Sequence, residues 1–350
     1  MLSENQWLFR TMKKILLLSL GLILFQSELS ANVKVNTIQQ ISFSTLISKD
    51  VKISDLSFKN VMRTFYGGRL INGKVNEIDF DNNEIDFDGS VDSNNTKPIE
   101  NSILITPPPI LEKLPKEKYD PETKQTYSVM QLFSHVDYYG AVMSDVVKYK
   151  NKSNEDRYML MVTTEGLQED NTFIAYRTAL SIVDIYVFKK NTDDTFSLVT
   201  RTPENLEPNR GDALVFLSQA DPDIDRKAIE FKAIGNNTIG AISNRLYSHN
   251  HGYYSDDWVI LHLPENDFIT LNWIPKGEMS GMDESFPTYY EYDSTISIQN
   301  DRSEYFPLLV HYKGEKPIYR KDGTVSNVKN IDVVTKFVFA SSKKDYIEMK

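Results

Sequence analysis

LHLPENDFITLNWI, residues 261–274, is the stretch on which the fold assignment turns. Short apolar runs flank Pro264, Glu265, Asn266 and Asp267. Proline presets a turn φ, and Asn and Asp side chains bond their own backbone, so the stretch reads as a β-hairpin. IYVFKKNTDDTFSLVTRT, residues 185–202, repeats the pattern around Asn-Thr-Asp-Asp. Similar runs recur as RYMLMVTTEG (157–166), DALVFLS (212–218), TIGAISNRLYS (238–248), FPLLVHYKG (306–314) and VVTKFVFASS (333–342). Many short strands separated by turn residues predict a mainly β, antiparallel fold: a sandwich, an open barrel or a propeller-like array, with few short helices. No fixed period marks out blades.

Upstream the signals are mixed. VKVNTIQQISFSTLI and VKISDLSFKNV, within residues 32–75, alternate weakly and suggest short strands. Asn72-Gly73 suits a two-residue hairpin, because both central positions need positive φ. NEIDFD appears at 76–81 and again at 83–88, inside an acidic stretch. TPPPILEKLPKEKYDPETK, residues 106–124, is stiff and favours neither helix nor ladder. Apolar residues at 129, 132, 133, 136, 139, 143 and 146 would make one helix stripe, weakened by Gly140.

Lys13 and Lys14 precede an apolar run, Ile15 to Phe25, with small Ser30 and Ala31 beyond. That is the order of a secretory signal peptide. Its eleven largely apolar residues rise only about 16 Å as a helix, short of a membrane span. The expected organisation is a signal peptide over 1–31 with Met12 as its natural start, an N-terminal β segment over 32–105 containing an acidic connector at 76–97, a Pro-rich linker at 106–125, and a main β domain over 126–350.

The chain has no cysteine, so disulfides, thiolate metal sites and a Cys nucleophile are closed to it. Beyond residue 31 it carries 36 basic and 47 acidic side chains. The excess concentrates in residues 201–300, with 7 basic against 16 acidic. Such a body repels phosphate backbones and attracts cationic proteins. Nucleic acid is therefore an unfavoured partner.

Candidate chemistry is thin. Gly68 and Gly73-Lys74 have phosphate-loop spacing, but Val75 stands where Ser or Thr must help hold Mg²⁺. Asp79, Asp81 and Asn83 begin a partial calcium loop without the Gly and the final Glu, Asp86, Asp88, Gly89 and Asp92 make a second partial set, and Asp221, Asp223 and Asp225 a third, again without the Gly. His249 and His251 would share a strand face, with His262 beyond a turn, yet two turn histidines and one ladder histidine is the plainer assignment. Ser280 in GEMSG is one place off a nucleophile elbow. No catalytic, cofactor or metal residue is assigned.

Tyrosine pairs remain: Tyr138-Tyr139, Tyr253-Tyr254 and Tyr289-Tyr290. On a strand each pair sends one ring to the core and one outward. Two groups combine exposed tyrosine with carboxylates: Tyr253, Tyr254, Asp256 and Asp257; and Asp283, Glu284, Tyr289, Tyr290 and Glu291. They are the candidate partner-binding residues. The expected function is an exported, bacterial periplasmic, non-catalytic binding or inhibitory protein whose partner is a cationic protein. An immunity protein neutralising a cationic envelope-attacking toxin is its concrete form. The alternatives are a secreted carboxylate- or metal-dependent hydrolase, and a carbohydrate-binding or calcium-stabilised surface module. For export, N-terminal sequencing of the mature protein from the producing cell should begin near Asn32, and an intact Met1 or Met12 in the membrane fraction would overturn it.

Overall fold

The computed structural model describes residues 51–78, 96–107, 117–120, 125–128, 139–168, 170–172, 182–203, 229–249, 253–280, 289–321 and 325–349. The expected signal peptide over residues 1–31, most of the acidic connector and of the Pro-rich stretch, Asp221 to Asp225, His135, His251, Asp283 and Glu284 lie outside these residues.

Two antiparallel eight-stranded sheets carry the fold. The first contains, edge to edge, β1 (Lys52–Ile53), β12 (Phe196–Arg201), β11 (Ile182–Lys190), β10 (Asp156–Gly166), β8 (Tyr139–Met143), β5 (Ser102–Ile105) and β2 (Leu70–Ile71), with β9 (Val147–Lys150) also on β10. The second is a simple meander in chain order: β13 (Lys232–Ala233), β14 (Ile239–His249), β15 (Tyr253–Leu263), β16 (Thr270–Ser280), β17 (Tyr290–Ile298), β18 (Leu308–Tyr319), β19 (Val325–Ala340) and β20 (Asp345–Glu348). Two small ribbons pair β3 (Asn76–Ile78) with β4 (Thr96–Pro98), and β6 (Glu117–Asp120) with β7 (Gln125–Ser128). The predicted antiparallel β class holds, and both hairpins read from the sequence form: β11–β12 and β15–β16.

Strand alternation divides the core into three layers. Met159 and Met161 of β10 and Ile185 and Val187 of β11 face Val259, Leu261 and Leu263 of β15 and Leu271 of β16. This is the contact between the sheets. The alternate residues Leu160, Val162, Tyr186 and Phe188 face the other way, against α1 (Phe58–Tyr66) through Val61, Met62 and Tyr66. On the second sheet the opposite face gathers Ile260, Ile274, Tyr292, Leu308, Val310, Tyr312 and Phe337. That face lines the inside of a sheet curled into a half-barrel. Ties cross the interior: Tyr312 Oη donates to the Pro275 carbonyl at 2.8 Å, and Asn272 Nδ2 donates to the Lys344 carbonyl at 2.8 Å. Polar links also join the sheets at a turn, where Arg157 Nε donates to Glu265 Oε1 at 2.9 Å and Ile269 N to the Arg201 carbonyl at 2.9 Å.

Three expectations are corrected. Residues 58–66 are a helix and not a strand, because Phe58, Val61, Met62, Phe65 and Tyr66 form one helical stripe that covers the first sheet. Asn72-Gly73 does not close a hairpin: β2 pairs with β5 and β3 with β4, so the chain passes between two sheets there. Gly73 has φ +143, and a Cβ would strike the Leu104 side chain, so close approach explains the glycine. In the proposed helix stripe at 129–146, residues 139–143 are strand. The described strands on either side of residues 106–125, β5 and β8, lie side by side in one sheet.

Among the described residues no helix is long and apolar enough to cross a membrane. Leu261 is fully buried where the two sheets meet. Leu261→Ala is expected to cost about 2–5 kcal/mol of stability in urea unfolding, the range for a Leu cavity that cannot collapse.

Candidate functional site

One end of the second sheet collects β15 where it starts, β16 where it ends, β17 where it starts and β18 where it ends. The register sets Tyr254 opposite Met279, Glu278 opposite Tyr292, Ser280 opposite Tyr290, and Tyr292 opposite Gly314. Two glycines let β17 approach both neighbours. A Cβ on Gly277 would lie 2.6 Å from the Tyr292 carbonyl, and one on Gly314, whose φ is +125, would collide with the Glu291 carbonyl.

Glu278 is the centre of this end. Tyr290 Oη donates to its Oε1 at 2.6 Å, Tyr319 Oη to Oε1 at 2.8 Å, and Tyr292 Oη to Oε2 at 3.0 Å. Burial, then the bond to Glu278, pushes the Tyr290 hydroxyl well above the usual tyrosine range. Burial likewise raises Tyr319, with Tyr290 opposing and Glu278 adding to the rise. The hydroxyls therefore stay protonated as donors, and the negative charge rests on the carboxylate. Lys316 Nζ lies 5.3 Å from the centre of the Tyr292 ring and 6.0 Å from that of Tyr312.

A second lysine sits close by. Lys276 Nζ is 3.0 Å from both Asp256 and Asp293 and 5.6 Å from the Trp258 ring centre. Trp258 Nε1 donates to Ser294 Oγ at 3.0 Å, which fixes the indole. Burial lowers the Lys276 pKa, but the bonds to Asp293 and Asp256 outweigh it, so the net shift is upward.

Tyr254, Asp256, Asp257, Tyr289, Tyr290 and Glu291 thus fall on neighbouring strands at one sheet end. Asp283 and Glu284 lie outside the described residues, as does the Tyr253 side chain. Tyr289 is 51% exposed and Tyr290 only 3%, the one-out, one-in split expected of an adjacent pair. Tyr289 donates to Glu291 Oε2 at 2.5 Å, and Asp256 is held by Lys276. Sequence reasoning missed Glu278, Lys276, Tyr292, Lys316 and Tyr319. Tyr292 shares a face with Tyr290 by period two, a signal present in the stretch YYEY.

His249 and His262 stand apart. His249 pairs with Tyr253 at one end of the β14–β15 ladder, and His262 pairs with Gly240 near the other, about 30 Å along the strands. His262 is fully buried, with Nδ1 3.0 Å from Thr270 Oγ1 and its ring boxed by Tyr305, Phe339 and Tyr346. Among the described residues no three His, Asp or Glu side chains are placed to hold a metal. Lys74 of the phosphate-loop spacing donates to the Glu100 carbonyl and leads into strand β3. Comparison of the chain with protein-family models, with curated proteins and with solved structures finds no match.

Burial drops the His262 pKa from 6.5 to about 3. Between those values the unfolded chain binds a proton that the folded one refuses, so the contribution is complete above the upper value and is lost as pH falls toward the lower. Urea unfolding between pH 6 and 5, above most carboxylate titration, should weaken by up to about 1.4 kcal/mol per unit from this group. His262→Gln should flatten that slope, and an equal slope in the variant would refute the assignment.

Proposed function

We propose that the protein is an exported, non-catalytic binding protein that engages a cationic protein partner through the β15–β18 end of its second sheet. Its concrete form is an inhibitor or immunity protein that blocks a basic, envelope-attacking protein. The observation that carries this reading is the gathering of Tyr254, Asp257, Glu278, Tyr289, Glu291 and Tyr319 at the ends of four successive strands. Tyrosine supplies wide contact area with few rotatable bonds, and carboxylates steer a basic partner toward it.

The chemistry of the cluster also favours binding over turnover. A general acid or base needs a proton that leaves or arrives near neutral pH. Here the tyrosine hydroxyls are driven further from neutrality, and each is spent on satisfying a carboxylate. The acidic excess of residues 201–300 supports the same reading, since its field draws in positive surfaces.

The test uses the full chain immobilised against envelope extract of the producing cell, with the captured protein identified and its charge measured. The double variant Tyr254→Ala with Asp257→Ala should weaken capture about fivefold or more while the unfolding midpoint stays put. Association should slow as salt rises past physiological strength, where the field reaches only about 8 Å. A neutral or acidic captured partner, or unchanged capture by the double variant, would overturn the reading.

A further inference from the structure

We infer that the outer edge of β19, over residues 329–335, takes up an extended segment of a partner protein as an added strand, with a carboxylate of that segment opposite Lys329. The inference does not rest on the reading above: the surface is a strand edge, and the group it receives is an anion.

The two sides of β19 are used unequally. One side pairs with β18 from Val325 to Phe337. The other meets β20 only over Phe337 to Ala340, and Met349 N donates to the Lys336 carbonyl at 2.8 Å. A strand residue directs its N–H and C=O to the same side, and successive residues alternate. Lys336 therefore sets the direction, and Val334, Asp332, Asn330 and Val328 also point outward along the unbroken β18 ladder. Pro317, opposite Val328, agrees, because its missing N–H would have pointed away from β19. Asn327 Oδ1 accepts Val328 N at 2.9 Å and closes the edge at that end.

Among the described residues, Asn330, Asp332 and Val334 have no strand on their outward side. Sheet proteins usually guard such an edge with a proline, a bulge or a very short strand. No proline, glycine or bulge interrupts residues 329–335. Val333 and Val334, one on each face, are 47% and 61% exposed.

Charge selects the occupant. Lys316 of β18 stands directly opposite Lys329, so two exposed ammoniums share one face, where like charges repel. Asp332, on the other face, is already bonded to His311 and lies 3.7 Å from Lys313. Neither Lys316 nor Lys329 has an ion-pair partner among the described residues. An added strand sets one side chain beside Lys329 on that face, and a carboxylate there relieves the pair. At longer range the basic excess of residues 301–350, 10 against 7, draws in an acidic segment. A second copy of this chain fits poorly. A two-fold that uses the whole window is centred on Asp332, which sets Asp332 against itself and Lys329 against Thr335.

The test is amide hydrogen exchange of the full chain, followed by NMR, with the capped nonapeptide STVVTVTES and its counterpart STVVTVTKS. In antiparallel register these place valines opposite Val334, Val333 and Ile331, and the Glu or Lys opposite Lys329. The Glu peptide should slow exchange at Asn330, Asp332 and Val334, while Ile331, Val333 and Thr335, already bonded to β18, stay unchanged. It should bind about threefold tighter than the Lys peptide, and Lys329→Glu should reverse that preference. Val334→Pro removes an outward donor without touching a β18 bond, so it should abolish binding while the unfolding midpoint holds. Protection without the alternation, no protection at all, or a preference unmoved by Lys329→Glu would overturn the proposal. So would a dimer that forms without peptide and is lost in Val334→Pro, since it would put a second copy on the edge.

Discussion

Burial of β10 and β15 on both faces is the constraint from which the rest of the architecture follows. Met159 and Met161 meet Val259 and Leu261 between the sheets, while Leu160 and Val162 are sealed by α1 and Ile260 by the curled half-barrel. A strand without a solvent face cannot slip by one residue without exchanging two complete sets of contacts. Each fully buried aliphatic side chain contributes about 1.5–3 kcal/mol, so such a slip is heavily disfavoured. With β15 pinned, the strands after β16 must cover its inner side, and the meander curls to do so. Gly277 and Gly314 permit β17 to approach both neighbours in that curl, and the splay beyond Gly314 opens the tyrosine-lined end.

Much of this was legible in the chain, and the reasons for the gaps are physical. The hairpins at 185–202 and 261–274 could be read because their turns carry Asn, Asp and Pro with local mechanisms. The alternation in 157–162 was visible as a nearly continuous apolar run, the mark of a strand covered on both sides. The helix at 58–66 was not read, since the weak alternation of VKISDL before it suggested that strands continued. Asn72-Gly73 misled because turn propensity is local, and the pairing of β2 with β5 and of β3 with β4 is decided elsewhere. At the site, the tyrosines and flanking carboxylates were found from composition, but Glu278 was not. Its role depends on a register with Tyr292 and on Tyr319 returning from forty-one residues away, neither of which local sequence encodes.

The polar groups at the sheet end divide by what satisfies them. Asp256 and Asp293 share one lysine, which offsets half of their combined charge. Glu278 accepts the phenol hydroxyls of Tyr290, Tyr292 and Tyr319. The same holds for Glu291 with Tyr289. A phenol hydroxyl meets a carboxylate's hydrogen-bonding demand without bringing a formal charge of its own.

That difference separates two ranges of action on one surface. Over a Debye length the summed acidic surplus of residues 201–300 matters, and individual geometry does not. At contact the order reverses. Side chains fixed by hydrogen bonds have little freedom left to lose, so Tyr290 and Tyr292, buried and bonded to Glu278, form a fixed backing behind the exposed Tyr289 and Tyr319. Tyr319 and Lys316 are exposed at the rim. A fixed backing and an exposed rim both follow from three tyrosines converging on one glutamate at the point where β17 and β18 part.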